Sequence, residues 1–232
     1  MSTGPDGATA RSRWQEVQDE LLRGITHALS NRVATLSAAA YMLEFGDVTP
    51  AQAAESMRTE SERIDELLQL LRRLPAREEP EPEPVSPGEL VEDAVALHAF
   101  HCDLRDVPVE VAVAADVLPV LVEPHALRQA LLLALSAAKR TAVRDANGHL
   151  PAARIDVRGD AEVVHIHVHG VANGAAVDAD AVDADAIDAT RAREFAAMRA
   201  CLGTVRGAVQ PLADGGCVVQ LPSLLAARRD GF

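Results

Sequence analysis

Residues 21–44, LLRGITHALSNRVATLSAAAYMLE, decide how this chain is read. Their apolar side chains fall at Leu22, Ile25, Leu29, Val33, Leu36, Ala40 and Leu43. Steps of three and four residues are those of one seam along an amphipathic helix. His27 stands beside that seam, and Asn31 follows one turn later, so the two side chains share a face.

Outward from this stretch, the same helix is expected from about residue 11 to residue 45, after a polar, Gly/Pro-containing tail over residues 1–10. Gly46-Asp47 breaks it, and Thr49-Pro50 supplies an N-cap followed by proline at the first helical position. A second helix then runs to about Leu74, with Met57, Ser61, Ile64, Leu68 and Leu71 along its seam. Two helices joined by a short turn make an antiparallel hairpin. A lone hairpin leaves apolar surface in water, and pairing two of them removes it. The expectation for residues 11–74 is therefore a homodimer built on a four-helix bundle.

Residues 75–84, PAREEPEPEP, read as a linker, because alternating Pro and Glu neither helix nor bury. Residues 85–225 then alternate in pattern. Ser86-Pro87-Gly88-Glu89 opens a helix as N-cap, proline and capping-box glutamate. VPVEVAVA from Val107 and VLPVLVE from Val117 read as strands, and Glu123-Pro124 starts an apolar helix to about Ala142. ARIDVRG and EVVHIHVHG read as a hairpin turning near Gly159-Asp160. AAVDADAVDADAID follows, with five aspartates and neither helix nor strand period, and reads as a loop. A helix is expected from Thr190 to Leu202, then two strands around Asp214-Gly215-Gly216. The fold class expected is α+β: the helical hairpin, then an α/β sandwich with a mixed sheet and helices on one face.

Composition bounds the function. The 232 residues are 48% apolar and 25% charged, ordinary for a soluble globular protein. Aromatics are only 3%, so Ala, Val and Leu must build the core. A formal net charge of −13 argues against nucleic acid or an anionic membrane as the main partner, since both need a basic surface. No apolar run reaches the length of a membrane span, and the first residues lack a signal peptide's apolar core, so a cytoplasmic location is expected. Cys102, Cys201 and Cys217 form no CxxC and read as reduced, buried thiols.

The hairpin, the linker and the α/β order together resemble two-component sensor histidine kinases, over roughly residues 11–222. The family's phosphoacceptor box, H-E-L-R-N-P-L, is here His27-Ala28-Leu29-Ser30-Asn31-Arg32-Val33. The resemblance implies that His27 accepts phosphate and that Asn31 acts on dephosphorylation of the partner; the acidic residue after the histidine is replaced by Ala28. The second domain is similar in shape to the family's ATP-binding domain, of the kind shared with Hsp90-type ATPases. Residues 123–129, EPHALRQ, resemble the lead-in of its N box, but Leu133 and Ala137 stand where two asparagines hold magnesium and phosphate. Residues 170–174, GVANG, stand for D-x-G-x-G without its adenine-binding aspartate, and the five-aspartate stretch replaces the glycine-rich lid. Phosphate binding needs open N–H groups and positive charge, and five carboxylates supply the reverse.

The architecture most resembled is therefore that of histidine phosphotransferases with a decayed ATP domain. It implies transfer between receiver-domain aspartates of response regulators through His27, with no bound cofactor and magnesium supplied by the receiver. Two other readings stand beside it: a non-catalytic pseudokinase scaffold, and an active kinase with an unusual ATP site. His165, His167 and His169 share one strand face, but successive same-face residues lie about 6–7 Å apart, which disfavours convergence of all three on one ion. The aspartate stretch lacks the glycine and terminal glutamate of a calcium loop, so no metal site is expected.

Overall fold

The computed structural model describes residues 5–74, 81–140, 142, 147–170, 184–203, 206–212, 214–229 and 231, with side chains from residue 13 in the first helix and from residue 192 in the fifth. Helix α1 spans Pro5–Phe45 and α2 spans Pro50–Arg72. The first begins six residues before the sequence expectation. Pro5 suits a first helical position because its missing N–H has no intrahelical acceptor there. Gly46 adopts φ +77° between the helices, and Asp47 N–H donates to Met42 O at 2.9 Å. A left-handed residue at this point satisfies the last carbonyls of a helix and turns the chain. Thr49 then caps α2 in a reciprocal box with Gln52.

Strand β1 (Glu83–Val85) pairs antiparallel with β3 (Val120–Val122), so Glu83 and Pro84, the last two residues of the expected linker, belong to a short ladder. The remaining elements are α3 (Pro87–His98), β2 (Val109–Val113), α4 (Pro124–Lys139), β4 (Ala153–Gly159), β5 (Val163–His169), α5 (Ala184–Leu202), β6 (Ala208–Pro211), β7 (Cys217–Pro222) and α6 (Leu224–Arg229). The main sheet has the order β2-β4-β5-β7-β6, parallel between β2 and β4 and antiparallel elsewhere. Helix α5 starts at Ala184, six residues before the expected Thr190, and takes up the end of the aspartate stretch. Alanine favours helix, and aspartate near an N-terminus complements the helix dipole. The rest of that stretch, residues 175–183, lies outside the described residues.

The sheet's inner face is Ile155, Val157, Val164, Ile166, Val168 and Val219, all at 0% exposure. Against it lies α4, whose residues 130–138 are buried throughout, with α3 and α5 beside it. The unexpected feature is the placement of α1. Its first half packs on α5 and α4 through Trp14, Val17, Leu21 and Ile25, and the core runs without a break from these residues into the sandwich. Arg13 donates to buried Glu194 of α5 at 2.6 Å, and Arg140 also reaches Glu194 at 3.1 Å. Removing one side of such a buried pair typically costs about 3–5 kcal/mol. The hairpin and the α/β sandwich thus share a core.

Candidate functional site

The docked half of α1 sets the orientation of everything above it. With Leu21 and Ile25 turned into the core, a step of two residues carries His27 out to water, and Asn31 returns to the same outer face. Asn31 Nδ2 lies 3.4 Å from His27 Nε2, at the long end of a hydrogen bond. With the imidazole proton on Nδ1, the amide donates to the Nε2 lone pair, so Asn31 fixes the ring and must let go of that nitrogen before Nε2 can attack. Ser30 donates to Thr26 O at 2.9 Å and Thr35 to Asn31 O at 3.0 Å, so the polar side chains around His27 are tied to their own helix.

The cations near His27 are not free. Arg23, one turn back, donates to Glu20 at 3.1 Å. Arg32 donates across the hairpin to Glu60 of α2 at 3.3 Å, and Arg63 donates to the same carboxylate at 2.5 Å. Glu60 is 5% exposed. Each of these two arginines carries a carboxylate partner, so the charge there is balanced. Glu60 is a residue sequence reasoning missed, because only the packing of α2 on α1 brings it to Arg32.

Glu123 caps α4, accepting from His125 N–H at 2.7 Å and Ala126 N–H at 2.6 Å. Glu123 therefore has a helix-starting job. Leu133 and Ala137 are 0% and 4% exposed inside the sandwich. A Cβ on Gly170 would lie 2.0 Å from Asp214 O, so an aspartate there would collide with backbone. Residues 171–174 lie outside the described residues.

Two further histidine groups differ from His27. His98 and His101 are buried and stacked, with ring centroids 5.1 Å apart; His98 Nε2 meets Ser136 Oγ at 3.1 Å. Burial, with Lys139 second, holds His98 well below the usual imidazole range, and burial, with Arg140 second, lowers His101. Burial also brings Lys139 down to about 8. His165, His167 and His169 form a ladder on the outer sheet face, at centroid spacings of 6.0 and 5.9 Å. The three rings do not converge, as the strand spacing implied. Cys217 is buried and Cys102 and Cys201 are half-buried; burial pushes both Cys201 and Cys217 up to about 12, so neither is a ready thiolate.

No family model matches the chain, and a comparison with curated proteins finds no match. Among solved structures the chain is similar to the Acinetobacter baumannii histidine kinase AdeS, at 15% identity and a TM-score of 0.43, covering 85% of this chain and 96% of that one. It is also similar to the catalytic domain of histidine kinase ThkA, at 12% identity and a TM-score of 0.43, covering 62% and 97% of the two chains. The cytoplasmic segment of histidine kinase QseC gives 15% identity and a TM-score of 0.37, covering 72% and 93%. Identities this low leave every residue role to be argued from the chain itself. Among the described residues no helix is long and apolar enough to cross a membrane.

Proposed function

We propose that this chain is a histidine phosphotransfer protein that relays phosphoryl groups between receiver-domain aspartates through His27. The observation that carries the reading is the exposed His27 with Asn31 one turn on, 3.4 Å away, on a helix whose other face is anchored in the core. Neutral imidazole is a good nucleophile near pH 7. Once the long Asn31 hydrogen bond is given up, His27 Nε2 attacks the phosphorus of an aspartyl phosphate, the bond to the carboxylate oxygen breaks, and the imidazole releases its Nδ1 proton. The reverse displacement on another receiver completes the relay. Magnesium belongs to the receiver, and the hairpin contributes position.

Leu133 and Ala137, buried where nucleotide ligands would be polar, support a chain that works without ATP. A dimer is part of the reading. Val33, Tyr41, Met42, Leu43 and Phe45 leave large apolar surface exposed on the hairpin's far half, and Leu68 adds to it nearer the base of α2, where a second hairpin would cover both.

One observation favours a second reading. The pairing of Arg23 with Glu20 and of Arg32 with Glu60 leaves no unpaired cation among these neighbours to meet a phosphoryl group, as suits a scaffold that docks a response regulator without transfer. Radiolabel transfer from a panel of phosphorylated receivers separates the two. Acid-labile label is expected on wild type and absent from His27→Ala, whose fold is unchanged because the side chain is exposed. Label on His27→Ala, or none on wild type, defeats the proposal. A saturable thermal shift with magnesium and ATP would instead support the kinase reading.

A further inference from the structure

The outer face of the sheet gathers groups that chain order keeps apart. Asp156 comes from β4, His167 and His169 from β5, and Asp214 from the turn before β7. Cross-strand register sets Asp156 directly opposite His167, with Arg154 opposite His169. His169 lies between two carboxylates: its Nε2 is 3.2 Å from Asp156 Oδ2 and its Nδ1 is 3.5 Å from Asp214 Oδ2. The His167 and His169 rings are nearly parallel, at 13°, with centroids 5.9 Å apart. A cleft of about 420 Å³ opens over Arg154, Asp156, Arg158, His167 and His169.

These spacings have a ligand-sized meaning. Two donor atoms on one tetrahedral zinc ion, each at about 2.0–2.1 Å, stand roughly 3.3 Å from one another. The gap between His169 Nε2 and Asp156 Oδ2 is 3.2 Å. Two imidazoles on one such ion place their centroids roughly 5–6 Å apart, and those of His167 and His169 already do. Metal-bound histidines commonly donate their second N–H to a carboxylate that fixes the ring, and Asp214 stands at that nitrogen. Arg154 donates to the other oxygen of Asp156 at 2.9 Å, leaving Oδ2 as the atom turned to His169.

We infer that this face holds a divalent transition-metal site, with His167, His169 and Asp156 as ligands, Asp214 as the orienting carboxylate and a fourth position open to water. Among the described residues no three such groups already surround one point. Occupancy therefore requires the half-exposed His167 ring to turn toward Asp156, a rotation about a torsion with broad wells. A set of two nitrogens and one carboxylate oxygen suits zinc, with nickel and copper binding at least as readily where they are present. The inference does not depend on the role of His27.

Zinc chloride titrated into the full-length chain against a chromophoric chelator tests it. One ion per chain at micromolar affinity is expected, and cobalt should give the visible absorption of a tetrahedral site. His167→Gln and His169→Gln should each lose binding, and Asp214→Asn should weaken it about tenfold or more. His165→Gln should bind as wild type, and circular dichroism should show all four variants folded. Wild type without measurable binding at sub-millimolar zinc would overturn the site. So would His169→Gln binding as wild type, which would leave His169 as a ring held between two carboxylates with no metal to bind. Equal loss in His165→Gln would overturn the assigned ligand set in favour of a chelate along the strand.

Discussion

At the residue scale, His27 and His98 show one side chain put to opposite uses. His27 sits in water beside Asn31, where its nitrogen can be reached. His98 is at 0% exposure, and its Nδ1 has no hydrogen-bond partner. Burial, then the charges of Lys139 and His101, disfavour its protonation, and His101 is lowered by burial as well. In the unfolded chain both rings take up protons near 6.5, while in the folded chain they stay neutral to lower pH. The unfolded state therefore binds more protons in that window, and stability falls as pH drops below about 6.5. Thermal melts should shift down between about pH 7 and pH 5.5, and His98→Leu should flatten that dependence. Ser136 Oγ keeps its own acceptor, Leu132 O at 2.9 Å, so the variant leaves no new orphan there. An unchanged slope in His98→Leu would remove His98 from the account.

At the element scale, α1 is a helix with two jobs along its length. Its first half is a core element, and Gly24 marks how closely it docks. A Cβ at Gly24 would lie 1.7 Å from Phe100 O, a backbone atom of the segment after α3. On helix propensity alone, Gly24→Ala would stabilise by about 1 kcal/mol. Here it forces the helix off the sandwich, so the sign reverses, with a net loss of roughly 1–3 kcal/mol, the usual range for overpacking. Urea unfolding measures it, and a raised midpoint in Gly24→Ala would contradict the docking of α1. Cys102 reports the same contact, since its Sγ donates to Glu20 O at 3.4 Å.

At the scale of the whole molecule, one end is closed and the other open. The core is continuous from Trp14 through α4 to Leu221. The hairpin's far half exposes Tyr41 at 62% and Phe45 at 76%. A protein in water rarely leaves such side chains together without a partner. Sedimentation of the wild type should give a dimer at micromolar concentration. Leu68→Glu should give a folded monomer, because Leu68 is 39% exposed in the single chain and its loss disturbs little of the monomer's own packing. A folded, monomeric wild type would remove the dimer from the proposed function.

The sequence by itself determined what depends on near neighbours. The Thr49-Pro50 start of α2, the Ser86-Pro87 start of α3, the β4–β5 hairpin and the shared face of His27 and Asn31 all follow from spacing and capping chemistry. Tertiary structure decided the rest, because partners remote in sequence leave no local periodicity. The expected seam through Leu22, Ile25 and Val33 is one example. The deeply buried line on α1 is Trp14, Val17, Leu21 and Ile25, while Val33 is 54% exposed, since the sandwich claims the helix's first half. Glu60 reaches Arg32 only through the hairpin's packing, and Gly170 must be glycine only because Asp214 O crosses it. Asp156 meets His169 only because strand register, a property of two strands and not of either, sets them on a diagonal of the β4–β5 ladder.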